Sequence, residues 1–447
     1  MTLRLTWVQP EDLVAHELAQ AQAEGVDVAD VAAAWTAAGG STVPSTTGAS
    51  DDPALRDVAR GLLDRLDDRS ATHRRDHPSA HEPDAWDDIV AQWRRIPTLR
   101  RAARPDRLHG AWLGRAVGCL LGKPVEKIPR EGVEAIARAT GNWPITGYFT
   151  ELGLPADIAE QWPWNRRSRP TSLAENIDGM PEDDDLNFAM LALSLVEQYG
   201  TELTTEDVAQ AWLANLPAAR VFTAERAAYR NLLDAVAVGR AAERHNPFRE
   251  WIGALIRTDA YGWTHPGDPA RAARLAYTDA WLSHRRNGIY GAMFVAAMSA
   301  AAVVADDLET VLECGLAVVP PRSRLADAVQ LGVDLAELPL ERALDELHET
   351  YRDLHWVHVL NNTALIAYAL VSSGGDLSRA IAAAVAGGWD TDSAGATAGA
   401  VCGALSGASA LPAHWTKPLH NRIGSSLPGF DGIGFDELAR RTTEASA

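Results

Sequence analysis

Two stretches of the 447-residue chain set oxygen-bearing side chains side by side. "PEDDDLNFAMLAL" places Glu182, Asp183, Asp184 and Asp185 in a row before an apolar helical run, and "GGWDTDSAGATAG" places Asp390, Asp392 and Ser393 before a run of small residues. One acid at a helix start is explained by capping, worth roughly 0.5–2 kcal/mol, because it accepts free backbone N–H groups and complements the helix dipole. Four consecutive acids, or two acids behind two glycines, exceed what a cap requires, and like charges this close repel. Carboxylates and hydroxyls are hard ligands suited to Mg²⁺, Mn²⁺ or Ca²⁺, and poorly suited to zinc without a neighbouring His or Cys. For either cluster alone, capping and metal binding both stay open. If the two helix ends converge, divalent cations between them would offset the repulsion. A metal-free glycosidase needs opposed carboxyl groups about 5–9 Å apart, which adjacent acids such as Asp183 and Asp184 cannot supply by themselves.

The elements that must position these acids read as helices. Ala/Leu/Gly-rich runs follow one another from about residue 105, among them "RLHGAWLGRAVGCLLG", "LNFAMLALSLVEQYG", "GIYGAMFVAAMSAAAVVA", "NNTALIAYALVSSGG" and "SAGATAGAVCGALSG". No convincing strand interrupts them, so the expected fold class is all-α. Small residues every third or fourth position allow helices to approach closely in a crowded bundle. Residues 1–100 read as a helical N-terminal extension of unknown role, with linkers near 39–53 and 69–84, ahead of a main domain at 105–435. Residues 141–181 break the helical pattern with three tryptophans and five prolines. A loop this long is either a recognition element or a packed excursion, and Trp143, Trp162 and Trp164 could stack on a flat base or belong to the core.

Composition narrows the function classes. Forty-one basic against 60 acidic residues give a net charge of −19, which opposes charge-driven binding to nucleic acid or anionic lipid. Three dispersed cysteines, Cys119, Cys314 and Cys402, suggest neither a disulfide framework nor a thiolate metal site. No signal-like start and no long uninterrupted apolar run is present, so the expectation is a cytoplasmic protein without membrane insertion.

Several ordered motifs resemble the ADP-ribosylglycohydrolase family, which includes the hydrolase that removes ADP-ribose from dinitrogenase reductase and the animal ADP-ribosyl-acceptor hydrolases. "GCLLGKPVE" (118–126) is similar to the family's Gly-rich helix ending in a functional glutamate. "EDDD" stands where the family commonly has Thr-Asp-Asp-Thr. "SHRRNGIYGAMFVAAMSAA" (283–301) is similar to its His-then-Gly helix, and "GGWDTDSAGATAGAVCGAL" to its second metal-binding segment. The resemblance spans about residues 108–410 and implies an orthogonal multi-helix bundle with two Mg²⁺ or Mn²⁺ ions in a cleft. It assigns Glu182, Asp183, Asp184, Asp390, Asp392 and Ser393 as metal ligands, and Glu126, Asp183 and Asp184 as catalytic. Substrate contacts fall to His284, Gly288, Tyr290, Gly291 and Trp389, with the three loop tryptophans added. Cys119 replaces an aspartate usual in the family and Glu182 a threonine, changes that bear on which substrate is taken.

The implied reaction is hydrolysis at the anomeric carbon of a ribose, on an ADP-ribosylated protein or small molecule. Another riboside, such as a nucleoside or NAD-derived metabolite, or a non-catalytic binding role on the same fold, are the alternatives. Lysine is scarce, and two of the three lysines, Lys123 and Lys127, flank Glu126. They read either as attraction for a substrate phosphate or, more commonly, as a solvated helix end.

Overall fold

The computed structural model describes residues 4–446 apart from 47, 49, 51, 78, 100, 101 and 103. Among the described residues the chain is all-α, with 22 α-helices and only isolated β-bridges. The runs read from the sequence lie on the helices Pro105–Gly122, Asp184–Tyr199, Asn287–Ala302, Val359–Ser373 and Thr391–Ser406. Every residue of Asn287–Ala302 is buried, as expected of a helix apolar on all sides at the centre of a bundle.

The closest packing joins Pro105–Gly122 to Thr391–Ser406. Gly110, Gly114 and Gly118, spaced by four, face Gly403, Gly399 and Gly395 in antiparallel order. A Cβ added at Gly110, Gly114 or Gly118 would lie 2.2, 2.1 or 1.9 Å from the carbonyl oxygen of its partner. Backbones therefore touch, and any side chain would push the helices apart. At the end of this ridge Thr391 Oγ1 donates to the Gly122 carbonyl at 2.9 Å. The contact locks the start of the second helix, with its acids, against the end of the first.

Residues before 100 are packed onto the bundle and are not a loose appendage. Arg249 Nη1 meets Glu17 at 2.9 Å and its Nε meets Glu24 at 2.7 Å. Arg324 pairs with both Glu82 and Glu250 at 2.9 Å. Trp7 and His16 enter an aromatic cluster with Phe248, Trp251 and His355. Two local expectations need correction. The helix Arg56–Asp76 runs through the first part of the stretch expected to be a linker at 69–84, because Leu62, Leu63, Leu66 and Ser70 continue one buried face. The long segment 141–181 contains the short helices Ala156–Gln161 and Arg169–Ser172.

Candidate active site

Both acidic clusters sit at helix starts. Asp183 caps Asp184–Tyr199, its Oδ1 accepting the Asp185 N–H at 2.9 Å. Asp390 occupies the cap position of Thr391–Ser406 without a side-chain cap bond, and its N–H donates to Asn362 Oδ1 at 3.2 Å. The clusters meet: Ser393 Oγ donates to Asp185 Oδ2 at 3.3 Å. Capping and convergence coexist here, since only Asp183 among the four clustered aspartates Asp183, Asp184, Asp390 and Asp392 forms a side-chain cap at its own helix start.

The helix Pro105–Gly122 faces the acids with Arg115 and Cys119, and Lys123 follows at the same spacing of four just past its end. This row lies beside the glycine ridge and so points where the ridge cannot. Arg115 Nη2 donates to Asp185 Oδ1 at 3.2 Å and Nη1 to Asp259 Oδ2 at 2.9 Å. The Lys123 ammonium is bonded to Asp183 Oδ2 and reaches the Glu182 carbonyl at 3.4 Å. The reading of Lys123 as a solvated helix end is therefore overturned, since the residue is only 7% exposed. Ligand atoms of Cys119, Asp183 and Asp185, all buried, lie within 4.8 Å of one another. Cys119 puts a thiol at the edge of an acidic pocket, where burial and then the Asp183 and Asp185 charges hold it protonated.

The acids differ in how their charge is met. Burial alone would raise the Asp183 carboxyl, but the Lys123 ammonium outweighs it and holds the group below its ordinary range. Among the described residues, no cationic side chain comes within ion-pairing distance of Asp184, Asp390 or Asp392. Burial, followed by the charges of Asp183 and Asp392, pushes Asp184 well up. Burial and the Asp392 charge do the same to Asp390. Asp392 rises to about 7 through burial and then through Glu126 and Asp183. Asp390 and Asp392 are 7% and 8% exposed, so water does not screen them as it would a surface pair.

Asp184, Asp390 and Asp392 are hard oxygen donors without an internal counter-charge, whereas the group whose ligand atoms lie within one ion's reach among the described residues is Cys119, Asp183 and Asp185. Asp183 is already engaged. So is Glu182: its Oε1 accepts from Asn187 Nδ2 and the Ser426 N–H, both at 3.0 Å, and its Oε2 pairs with Arg220 at 2.9 Å. Ser393 spends its hydroxyl proton on Asp185. Glu126 stands close enough for its charge to raise both Asp390 and Asp392. Its Oε2 accepts from Asn165 Nδ2 at 2.6 Å, and Lys127 lies 3.4 Å from its Oε1. Asn165 comes from the long segment, whose backbone is tied to Pro124 by the Asn165 N–H at 3.0 Å.

The expected substrate contacts are mostly not at a surface. His284 is fully buried, its Nδ1 2.8 Å from Ser283 Oγ and its Nε2 accepting the Ala254 N–H at 3.3 Å. Burial and the Arg257 charge hold it neutral. Tyr290 is equally closed off, with its hydroxyl bonded to the Pro83 carbonyl from the N-terminal residues. A Cβ at Gly288 would meet the Arg249 carbonyl at 2.5 Å and one at Gly291 would meet Val359 at 2.7 Å. These four positions are packing positions, and a substrate-contacting role does not fit them. Trp389 is buried and stacks on His348 at 4.3 Å. Trp164 is buried edge-on against Phe149, and Trp162 is half-buried against Ile128 and Gly132. Trp143 carries the Arg138 guanidinium over its ring and lines a groove with Leu338, Tyr368 and His414 that includes none of the acids.

Arg115 and the cleft role of Lys123 were missed by sequence reasoning, as were Asn165 and any role for Asp185 beyond its place in the acid run. The spacing of four from Arg115 through Cys119 to Lys123, polar positions on an otherwise apolar run, was the available signal for the first two. Asn165 left no such signal.

The family model described as ADP-ribosylglycohydrolase matches residues 100–446, which includes every acid of the cleft. Among solved structures, one titled "ADP-ribosylglycohydrolase-related protein complex" is similar at 20% identity with a TM-score of 0.41, covering 77% of this chain and 99% of that one. Among curated proteins, none matches.

Proposed function

The chain belongs to the ADP-ribosylglycohydrolase family, and on that premise we propose that it is a divalent-cation-dependent hydrolase acting at the anomeric carbon of an ADP-ribosylated protein or small molecule. One observation carries the cation dependence: Asp390 and Asp392 are buried and Asp184 half-buried, near enough for their charges to act on one another, with no counter-charge from the described part of the chain. A cation bound there would supply Lewis acidity toward the sugar hydroxyls and the attacking water.

The chain's own residues do the rest. Asp184, Asp390 and Asp392 would hold the cation. Asn165 orients Glu126, leaving Oε1 to take a proton from water or return it to the departing group. Arg220 and Lys123 hold Glu182 and Asp183 still, so the neighbouring Asp184 keeps its direction.

The test is a hydrolysis screen with Mg²⁺ or Mn²⁺ on arginine-, serine- and O-acetyl-linked ADP-ribose and on simple ribosides, read by mass spectrometry. Release of ADP-ribose that stops with chelator is expected. Turnover of ribosides alone would favour the second substrate class, and no metal-dependent turnover of any substrate would defeat the proposal.

A further inference from the structure

We propose that the Lys123 ammonium takes the place of one of the two cations implied for this cleft, so that the protein holds a single divalent ion. This rests on the reading of the cleft as a cation site and specifies how its charge is divided. Two groups of oxygen donors face each other, and they are not equivalent. Asp183, Asp185 and Cys119 form one. Within it, Asp183 is bonded to Lys123, Asp185 is paired with Arg115 at 3.2 Å, and the third member is a thiol where a carboxylate would be needed for a hard ion. Asp184, Asp390 and Asp392 are the remaining acids, near enough for their charges to act on one another, and none of them has a cationic partner among the described residues.

In the first group Asp183 is thus matched by a covalently tethered ammonium, and Asp185 shares the Arg115 guanidinium with Asp259. A second metal there would have to displace a buried ammonium and leave it unpaired, which is strongly unfavourable. It would also lie beside the guanidinium of Arg115. The second group has spare negative charge and no such competitor. Geometry also makes Lys123 hard to remove. It begins the short helical turn Lys123–Val125 directly after Gly122, whose backbone is held by the Thr391 hydroxyl. The lysine is therefore anchored by the same contact that places Asp390 and Asp392.

A fixed ammonium and an exchangeable metal differ chemically. The ammonium donates hydrogen bonds and balances charge, but it offers no open coordination position for water or a sugar oxygen. A single bound ion would have to supply Lewis acidity for both ribose and water, and Glu126 would be the carboxylate left to carry the proton.

Metal stoichiometry tests this without reference to turnover. The full chain is dialysed against Mn²⁺ and its content measured by plasma mass spectrometry, with electron paramagnetic resonance of the bound ion. About one Mn²⁺ per chain with an uncoupled six-line signal is expected. Two Mn²⁺ with the exchange-coupled signal of ions about 3.5–4 Å apart would overturn the inference while leaving the cation-dependent reading intact. No binding at millimolar Mn²⁺ would overturn both. Lys123→Met, which keeps length and loses charge, is expected to take up a second, weaker Mn²⁺. A folded Lys123→Met protein that still binds one ion would mean the ammonium is not what excludes the second. If the variant does not fold, the wild-type stoichiometry decides alone.

Discussion

The seam between the N-terminal residues and the bundle, and the acidic cleft, both bury many charges, yet they treat them in opposite ways. In the seam each central charge has a partner: Arg249 lies between Glu17 and Glu24, and Arg324 between Glu82 and Glu250. In the cleft Asp184, Asp390 and Asp392 have none among the described residues, and burial, then the charges of neighbouring acids, pushes their carboxyls up. A buried charge matched from within the chain is structural and asks nothing of solution. Buried charges of one sign without a match repel until a cation arrives from outside. Lys123 with Asp183 is a seam-like pair set inside the cleft, and it marks where that demand ends.

The largest effect should come from breaking the cleft. Asp390→Asn removes one ligand charge and should lower turnover about 10²–10³-fold, the equivalent of several kcal/mol of transition-state stabilisation. In chelator its melting temperature should hold or rise, because one repelling carboxyl is gone. A variant that loses both turnover and stability would place Asp390 with the seam residues.

Next is the converse change in the seam. Arg249→Met strands Glu17 and Glu24 in the interior and should cost about 3–5 kcal/mol by chemical denaturation, with metal stoichiometry unchanged in the folded fraction. A loss under about 1 kcal/mol would show that the pairing contributes little beyond what hydrophobic packing supplies.

Smaller shifts should follow pH. Burial lowers His16 to about 4, His355 to about 3 and His358 to about 4, with the His16 and His358 charges adding to the effect at His355. The unfolded chain takes up protons below about 6.5 that the folded chain refuses, so stability from these groups is present above that pH and lost as pH falls toward 4. Asp67 works in the other direction: burial and then Glu17 raise it to about 8. Its folded form keeps a proton that the unfolded chain releases, so its contribution fades as pH rises from about 4 through 8. Melting temperatures should therefore rise from pH 5 to about 6.5 and fall from there to about 8, and Asp67→Asn should flatten the fall and steepen the rise. An unchanged alkaline limb in that variant would remove Asp67 from the account.

The smallest change is expected at Trp143. It is half-buried and lines a groove apart from the acids, so alanine there should leave turnover and Mn²⁺ binding within about twofold. Trp164→Ala, by contrast, should cost about 3–5 kcal/mol as a core truncation. A selective loss of substrate affinity in Trp143→Ala would return the long segment to recognition.

Much of the framework was legible in the residue order. Helical periodicity announced the bundle, small residues at every third or fourth position announced close helix packing, and acid runs before apolar stretches announced two charged helix starts. These are local properties, carried by spacing along one helix, and no partner is needed to read them. The docking of residues before 100 was not legible, because Glu17 and Glu24 look like solvated acids until Arg249 is brought between them. His284 and Tyr290 belonged to a motif whose order could be read, but only packing from several helices and Pro83 decided that they face inward.

Residue order alone determined the helical class, the ridge of glycines and the placing of carboxylates at the starts of two helices. Tertiary structure decided which carboxylates are matched. Lys123 and Asp183 are 60 positions apart in the chain, and Asp185 and Ser393 are 208 apart. Charge interactions in a buried site depend on separations of a few ångströms and on exclusion of water, and neither quantity exists until the glycine ridge has brought the two helix ends together.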